Sequence, residues 1–299
     1  MKDQKTVLLT GSTGFLGSVI LGLLLEDGYR VVSIIRNGSD LFRIKSNLEN
    51  SNVVLFNIED GLENCFRENK IDFIIHTATC YGRNDEKSAD IIKANLSLPL
   101  ELLEFGRRNN CRCFINADTF FNEQLGLKPK ERIYVKTKKY FVQLAQEIVP
   151  DEGIKFVNLV IQQMYGPADS LKKFVPGIIV RLLNNENIYL TKGDQKRDFI
   201  FVKDVARSFV NVVDNFDNLN QYEEFGVGTG RSNSIKETVE LLKVRINSKS
   251  FLDWDKLPYR ENEIMDSVAN LENNRKINWK AVTNLEDGLR ETIEYFKNK

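Results

Sequence analysis

One histidine stands in 299 residues, with only four cysteines, six prolines and two tryptophans. A lone imidazole and four scattered thiols (Cys65, Cys80, Cys111, Cys113) do not form the clustered donor set of a zinc site. A chain of this length has core enough to need no disulfides, so a reducing, cytoplasmic setting is expected. An excess of one charge is missing too: 42 basic residues balance 42 acidic ones, and the signs are interspersed. No broad field steers nucleic acid or a membrane surface, and any anionic ligand must be held by local groups. Long apolar runs are also lacking. The opening MKDQKTVLLTGSTG reaches an apolar stretch too short for a signal peptide, and no window approaches a membrane span. Neither nucleic acid nor a membrane is an expected partner.

What is present is a rhythm. Short β-branched runs alternate with helical patterns: TVLLT, FLGSVILGLLLEDG, VVSIIR, VVLFNI, IDFIIHTA and CRCFINA. That alternation predicts an α/β fold with a doubly wound parallel sheet. The first helix sets Phe15, Leu16, Val19, Ile20, Leu23 and Leu24 on one face and ends at Gly28. Two more helices are expected over 89–108 and 134–148, and Cys111 and Cys113, alternating along a strand, are expected to face the core together. After FVNLVI (156–161) the pattern changes to a turn at YGPADS, a helix at FVPGIIVRLLNN, and strand, turn and strand in IYLTKGDQKRDFIFV. Residues 204–213 read as a helix returning to the first lobe.

Gly11, Gly14 and Gly17, in GSTGFLG, lie directly after the first strand and open the first helix. Such glycines let the backbone turn tightly and approach a pyrophosphate, whose charge rests on the helix N-terminus. The plain alternative is a tight strand-to-helix turn. His76, beside an apolar run, reads as a structural residue. Tyr134 and Lys138 stand four apart on one helical face in YVKTK. A phenol of pKa about 10 becomes a useful acid–base group near neutrality only when a neighbouring cation stabilises its phenolate. The pair reads as catalytic, Tyr134 moving the proton and Lys138 tuning it. An ordinary amphipathic face is the alternative.

The GxxGxxG spacing, the Tyr-x-x-x-Lys pair, Asn95, Tyr165-Gly166-Pro167, RDFIFVKDV (197–205), GVGTG (226–230) and RENEIMDSVAN (260–270) resemble the extended short-chain dehydrogenase/reductases, the NAD-dependent epimerase/dehydratase family. The resemblance spans nearly the whole chain. It implies a Rossmann domain over 1–160, rejoined by about 200–228, and a smaller α/β substrate lobe from 161–199 and 229–299. By the same resemblance Thr13, Phe15 and Leu16 join the three glycines around the cofactor, with Asn57 and Ile58 at the adenine. Thr77, Ala78, Asn95, Tyr134 and Lys138 lie further along it. Family members using NAD usually end the second strand in Asp; here it ends in Arg36, so NADP(H) is expected, with NAD(H) as the alternative.

The stretches NADTFF, MYGPAD and RENEIMDSVAN are most similar to deoxyhexose 4-keto reductases of the CDP-abequose synthase kind, which implies a CDP- or dTDP-linked sugar as partner and O-antigen synthesis as setting. Thr79, Tyr81, Thr119, Gln162, Gln163, Arg197 and Arg260 then border the substrate, the two arginines clamping its diphosphate. Two departures stand out. Ala117 replaces the hydroxyl residue expected to touch the substrate carbonyl, leaving Thr119 as substitute, and Gln162-Gln163 replaces Glu-His. A 4,6-dehydratase would need Thr-Asp-Glu where Ala117-Asp118-Thr119 stands. A 4-epimerase, or a silent NADP-binding sensor, is the remaining alternative. The helices over 89–108 and 134–148 resemble the family's homodimer interface, through Leu96, Leu100, Leu103, Phe141 and Ala145.

Overall fold

Parallel strands cannot be joined by a tight turn, so each β-branched segment must reach its neighbour through a crossover, usually helical. The computed structural model describes residues 4–82, 86–123, 129–149 and 153–299. In its first half run β1 (Thr6–Thr10), α1 (Phe15–Glu26), β2 (Arg30–Ile35), β3 (Val53–Asn57), α2 (Leu62–Glu68) and β4 (Phe73–His76). There follow α3 (Ser88–Ile92), a π-helical turn over Lys93–Ser97, α4 (Leu98–Arg108), β5 (Cys113–Thr119), α5 (Pro129–Ile148) and β6 (Lys155–Ile161). Next come β7 (Gln163–Tyr165), α6 (Phe174–Leu183), β8 (Ile188–Tyr189), β9 (Lys196–Arg197), β10 (Phe199–Phe201) and α7 (Val202–Asn215). The chain finishes with β11 (Tyr222–Val227), β12 (Asn233–Ser234), α8 (Ile235–Ile246), β13 (Leu252–Asp253) and α9 (Leu285–Lys297).

Seven strands form one parallel sheet in the order β11-β6-β5-β4-β1-β2-β3. The chain reverses its direction of travel between β1 and β4, and a crevice opens beyond the strand ends at that switch. One apolar core lies between the sheet and α1 and α7, another between the sheet and α4 and α5. A third, containing Tyr165, Ile179, Leu182, Phe201, Val239 and Leu289, gathers α6, α8 and α9 around the short strands. Among the described residues no helix is long and apolar enough to cross a membrane.

Several expectations are corrected. Strand β11, YEEFGV, carries too little apolar pattern to announce itself; its Glu223 is buried by pairing with Lys276 Nζ at 2.6 Å. Helix α1 buries Leu16, Ile20, Leu21, Leu24 and Leu25, while Phe15, Val19 and Leu23 only flank that core. Cys111 and Cys113 lie in opposite cores, because Cys111 precedes the strand, just after the left-handed Asn110, where two-residue alternation does not apply. Helix α5 begins at Pro129, so Tyr134 sits in its second turn. Leu103, Phe141 and Ala145, expected at a subunit interface, pack on the sheet instead, flanked by Leu96 and Leu100. The outward apolar residues there are Ile92, Tyr140 and Leu144.

The return from the second lobe to the sheet is pinned by one buried carboxylate. Asp198 accepts from Thr229 N (2.8 Å), Thr229 Oγ1 (2.7 Å), Gly230 N (3.0 Å) and Ala269 N (3.1 Å). Substituting Asp198→Ala strands those donors and is expected to cost about 3 kcal/mol or more of stability, read as the shift in urea denaturation.

Candidate active site

The crevice begins at Gly11, whose φ of +73° requires glycine. A Cβ there would stand 2.7 Å from Ala78 N and from Thr77 Oγ1, and one on Gly17 would stand 2.1 Å from Gly11 O. The loop and the first turn of α1 thus touch backbone to backbone. The N-cap of α1, Gly14, has no side-chain cap, and no acid occupies the first turn. The N–H groups there are left for an anion, which the positive end of the helix favours. These residues fit a dinucleotide pyrophosphate.

From this loop a cleft of about 2320 Å³ runs along the strand ends and into the second lobe. Gly11, Thr13, Gly14, Phe15, Leu16, Gly17, Arg36, Ile58, Thr77 and Ala78 line it at one end. Tyr134, Lys138, Thr119, Thr79, Tyr81, Gln162, Gln163, Arg197 and Arg260 line it further on. Asn57 and Asn95 do not. Asn57 spends its amide locally, Nδ2 donating to Asn37 Oδ1 (2.5 Å) and Oδ1 accepting from Glu59 N (3.2 Å). Asn95 sits in the π turn, where the extra residue turns its amide toward the loop after β4. Its Oδ1 accepts from Cys80 N (2.9 Å) and its Nδ2 donates to Cys80 O (2.8 Å), so it shapes the Thr79–Tyr81 wall from behind.

Tyr134 is buried beneath Tyr81, ring centroids 5.1 Å apart. One turn on, Lys138 is wholly enclosed and donates from Nζ to Ala117 O at 2.6 Å. Burial pulls its pKa down to about 8, against the upward pull of Asp118. Strand β5 supplies the floor: Ala117 and Thr119 share one face by alternation, and Thr119 Oγ1 accepts from Phe121 N at 3.3 Å. His76 lies underneath rather than in the cleft, Nδ1 on Thr10 Oγ1 at 2.9 Å. Burial and the Lys138 charge hold its pKa well below the usual value, so it is a neutral ring.

On the far side Gln162 Oε1 accepts from Ser267 Oγ at 2.6 Å. Arg197 is already engaged, donating to the Glu263 carboxylate and to the carbonyls of Ile264 (2.6 Å) and Lys196 (2.7 Å). Arg260 is exposed on the cleft wall. Sequence reading missed Lys173. It pairs with Asp169 Oδ1 at 3.4 Å and lies over the rings of Phe15 (5.4 Å) and Tyr81 (6.0 Å), where the cofactor end meets the second lobe. Nothing in SLKKFVPG separates it from Lys172 beside it.

The comparisons agree with this geometry. The model of the NAD dependent epimerase/dehydratase family matches residues 7–228. The chain belongs to that family. A CDP-abequose synthase from Salmonella muenchen is 32% identical over 291 residues, covering 97% of each chain. A second, from Salmonella typhimurium, is 32% identical over 302 residues, 97% of this chain and 98% of that one. In fold the chain is similar to a UDP-N-acetylglucosamine 4-epimerase from Methanobrevibacter ruminantium, with TM-score 0.84, 23% identity and 99% of both chains covered. A UDP-glucose 4-epimerase from Thermotoga maritima has TM-score 0.80 and 22% identity, with 98% of this chain and 99% of that one covered. The protein is thus an enzyme of a nicotinamide-dependent family.

Gly17→Ala forces a methyl group into the Gly11 carbonyl and is expected to weaken dinucleotide binding at least about tenfold. Quenching of protein fluorescence on titration with cofactor measures this, and wild-type affinity would remove the loop from the cofactor site.

Proposed function

We propose that the protein reduces the C4 ketone of a nucleotide-activated 6-deoxy or 3,6-dideoxy hexose with NADPH. The observation that carries this is the Tyr134–Lys138 pair, midway along a cleft whose one end fits a pyrophosphate and whose other enters the second lobe. The full-length similarity to CDP-abequose synthases supports the substrate class. The absence of a Glu at position 119 argues against a dehydratase, which needs a carboxylate there.

A bound nicotinamide dinucleotide would supply the hydride. Tyr134 gives its proton to the C4 oxygen as negative charge develops, and the ammonium of Lys138 stabilises the phenolate left behind. Thr119 donates to the same oxygen in place of a hydroxyl at Ala117. Arg36, exposed at the end of β2, pairs with a 2′-phosphate. Residues 161–199 and 229–299 form the substrate lobe, where Arg260 is the freer diphosphate clamp and Arg197 acts only by leaving Glu263. A homodimer forms through the face bearing Ile92, Tyr140 and Leu144. Ala117 favours one second reading, a dinucleotide-binding protein without turnover.

CDP- and dTDP-4-keto sugars, made enzymatically and offered with NADPH, separate these readings. Oxidation of NADPH by wild type and a loss of about 100- to 10,000-fold in Tyr134→Phe, with cofactor binding intact, is the expected result. No oxidation with any of them would leave the binding protein, and undiminished turnover in the variant would exclude Tyr134.

For the cofactor, kcat/KM should favour NADPH over NADH, and Arg36→Ala should erase about 10- to 100-fold of that preference while sparing NADH. Equal use of both by wild type would leave Arg36 a surface residue.

A further inference from the structure

Lys138 poses an electrostatic problem that one hydrogen bond does not solve. Its ammonium is out of water, and the carbonyl of Ala117 alone does not compensate such a charge. The groups around it differ by element. From β4 comes His76, held neutral, its Nε2 without a hydrogen-bond partner among the described residues. On its own helix Tyr134 lies one turn back; Asn95, behind α5, and Asn158, on β6, are uncharged amides. From β5 comes Asp118, on the same strand face as Phe114 and Asn116, the face that α5 covers.

Asp118 is itself buried, and it is held from two sides. Its Oδ1 accepts from Thr119 N at 2.8 Å and its Oδ2 from Asn158 Nδ2 at 3.0 Å. Asn158 is fixed in turn, donating to Glu224 Oε2 at 2.9 Å and accepting from Asn116 Nδ2 at 2.8 Å. This row of polar side chains crosses three strands, from the edge of the sheet to β5, where the carbonyl of the preceding residue, Ala117, receives the lysine. Its components are costly to bury, and their mutual hydrogen bonds hold Asp118 and Asn158 in place.

We propose that Asp118 is a positioning residue of the active site, a carboxylate fixed by Thr119 and Asn158 whose task is to keep Lys138 an ammonium at neutral pH. Burial drags the lysine down and Asp118 acts against it. Without the carboxylate, burial acts unopposed, the amine loses its proton within the neutral range, and Tyr134 loses the cation that stabilises its phenolate.

The inference rests on the reductase reading only in what Tyr134 does with that cation; the charge on Lys138 is measurable with no substrate present. In wild type enriched with 13C at the lysine ε-carbon, the Lys138 resonance, assigned by its absence in Lys138→Arg, should titrate near pH 8. In the isosteric Asp118→Asn the midpoint should fall by at least about one pH unit. The alkaline limb of kcat/KM should fall with it, so that activity missing near pH 8 returns on acidification. Equal midpoints in the two proteins, or a loss of activity that is uniform at every pH, overturn the proposal. Should Asp118→Asn fail to fold, the wild-type titration decides: a Lys138 already neutral at pH 7 overturns it, and one charged up to about pH 8 supports it. A shifted midpoint with no turnover of any keto sugar upholds Asp118 and rejects the reductase reading instead.

Discussion

The contact between the first turn of α1 and the loop leaving β1 is the constraint on which the remaining architecture rests. With Gly17 so placed that a Cβ would stand 2.1 Å from Gly11 O, the helix axis meets the sheet at one distance only, and its N-terminus faces the crevice. The same loop touches Thr77 and Ala78, so the ends of β1 and β4 are clamped across the switch point of the sheet. Thr77 Oγ1 donates to Thr10 O at 2.7 Å, closing that clamp from the other side. Strand β5, hydrogen-bonded to β4, then brings Ala117, Asp118 and Thr119 to the same rim, and α5 lays Tyr134 and Lys138 over them. Each later part of the site inherits its position from that first backbone contact.

A chain with no net charge must build its fields from single residues, and it does so by spending acids. Lys173 is balanced by Asp169 and Arg197 by Glu263, both at the cleft, and Asp118 is the carboxylate we propose for Lys138. Pairing of this kind makes buried charges tolerable, and breaking such a pair leaves an uncompensated charge. It also ranks them as ligand binders. A guanidinium bonded to a carboxylate and two carbonyls, as in Arg197, must give up those bonds to take a phosphate, whereas Arg36 and Arg260 are exposed.

The sheet and the glycine loop were legible because their signals are local: β-branched runs of strand length, and glycines at a strand-to-helix turn. What escaped is set by tertiary context. Strand β11 reads poorly, since its buried Glu223 is balanced by the ammonium of Lys276, a residue 53 positions away, while Asn220 N and Nδ2 donate to the same carboxylate. The buried face of α1 shifts by one residue toward Leu21 and Leu25 because α7 as well as the sheet covers it. Asn95 was found by resemblance, yet its lining role becomes a supporting one through a π turn that no periodicity announces. Lys173 gave no signal at all. Its place depends on two aromatic rings from distant segments, Phe15 and Tyr81.

Under the reductase proposal, the alanine at 117 leaves the site without one hydroxyl. The main-chain task of that position is intact, since its carbonyl receives the Lys138 ammonium whatever the side chain is. Only the hydroxyl is gone, and strand alternation returns to the same face at Thr119, one pleat nearer the rim. Thr119 Oγ1 accepts from Phe121 N, which orients the oxygen without using its hydrogen. A hydroxyl that accepts in this way still has its proton to donate. In a reductase, that proton would point at a carbonyl carried by the substrate. The shift from 117 to 119 moves the donor along the strand by about 7 Å, two residues of extended chain, less whatever the strand end curls back. Under the reductase proposal, a sugar contacted by Thr119 sits correspondingly nearer the rim than one held by a hydroxyl at 117. Gln162 and Gln163 follow Ile161, the residue paired with Thr119 on the neighbouring strand, and line the cleft with amides that can both donate and accept.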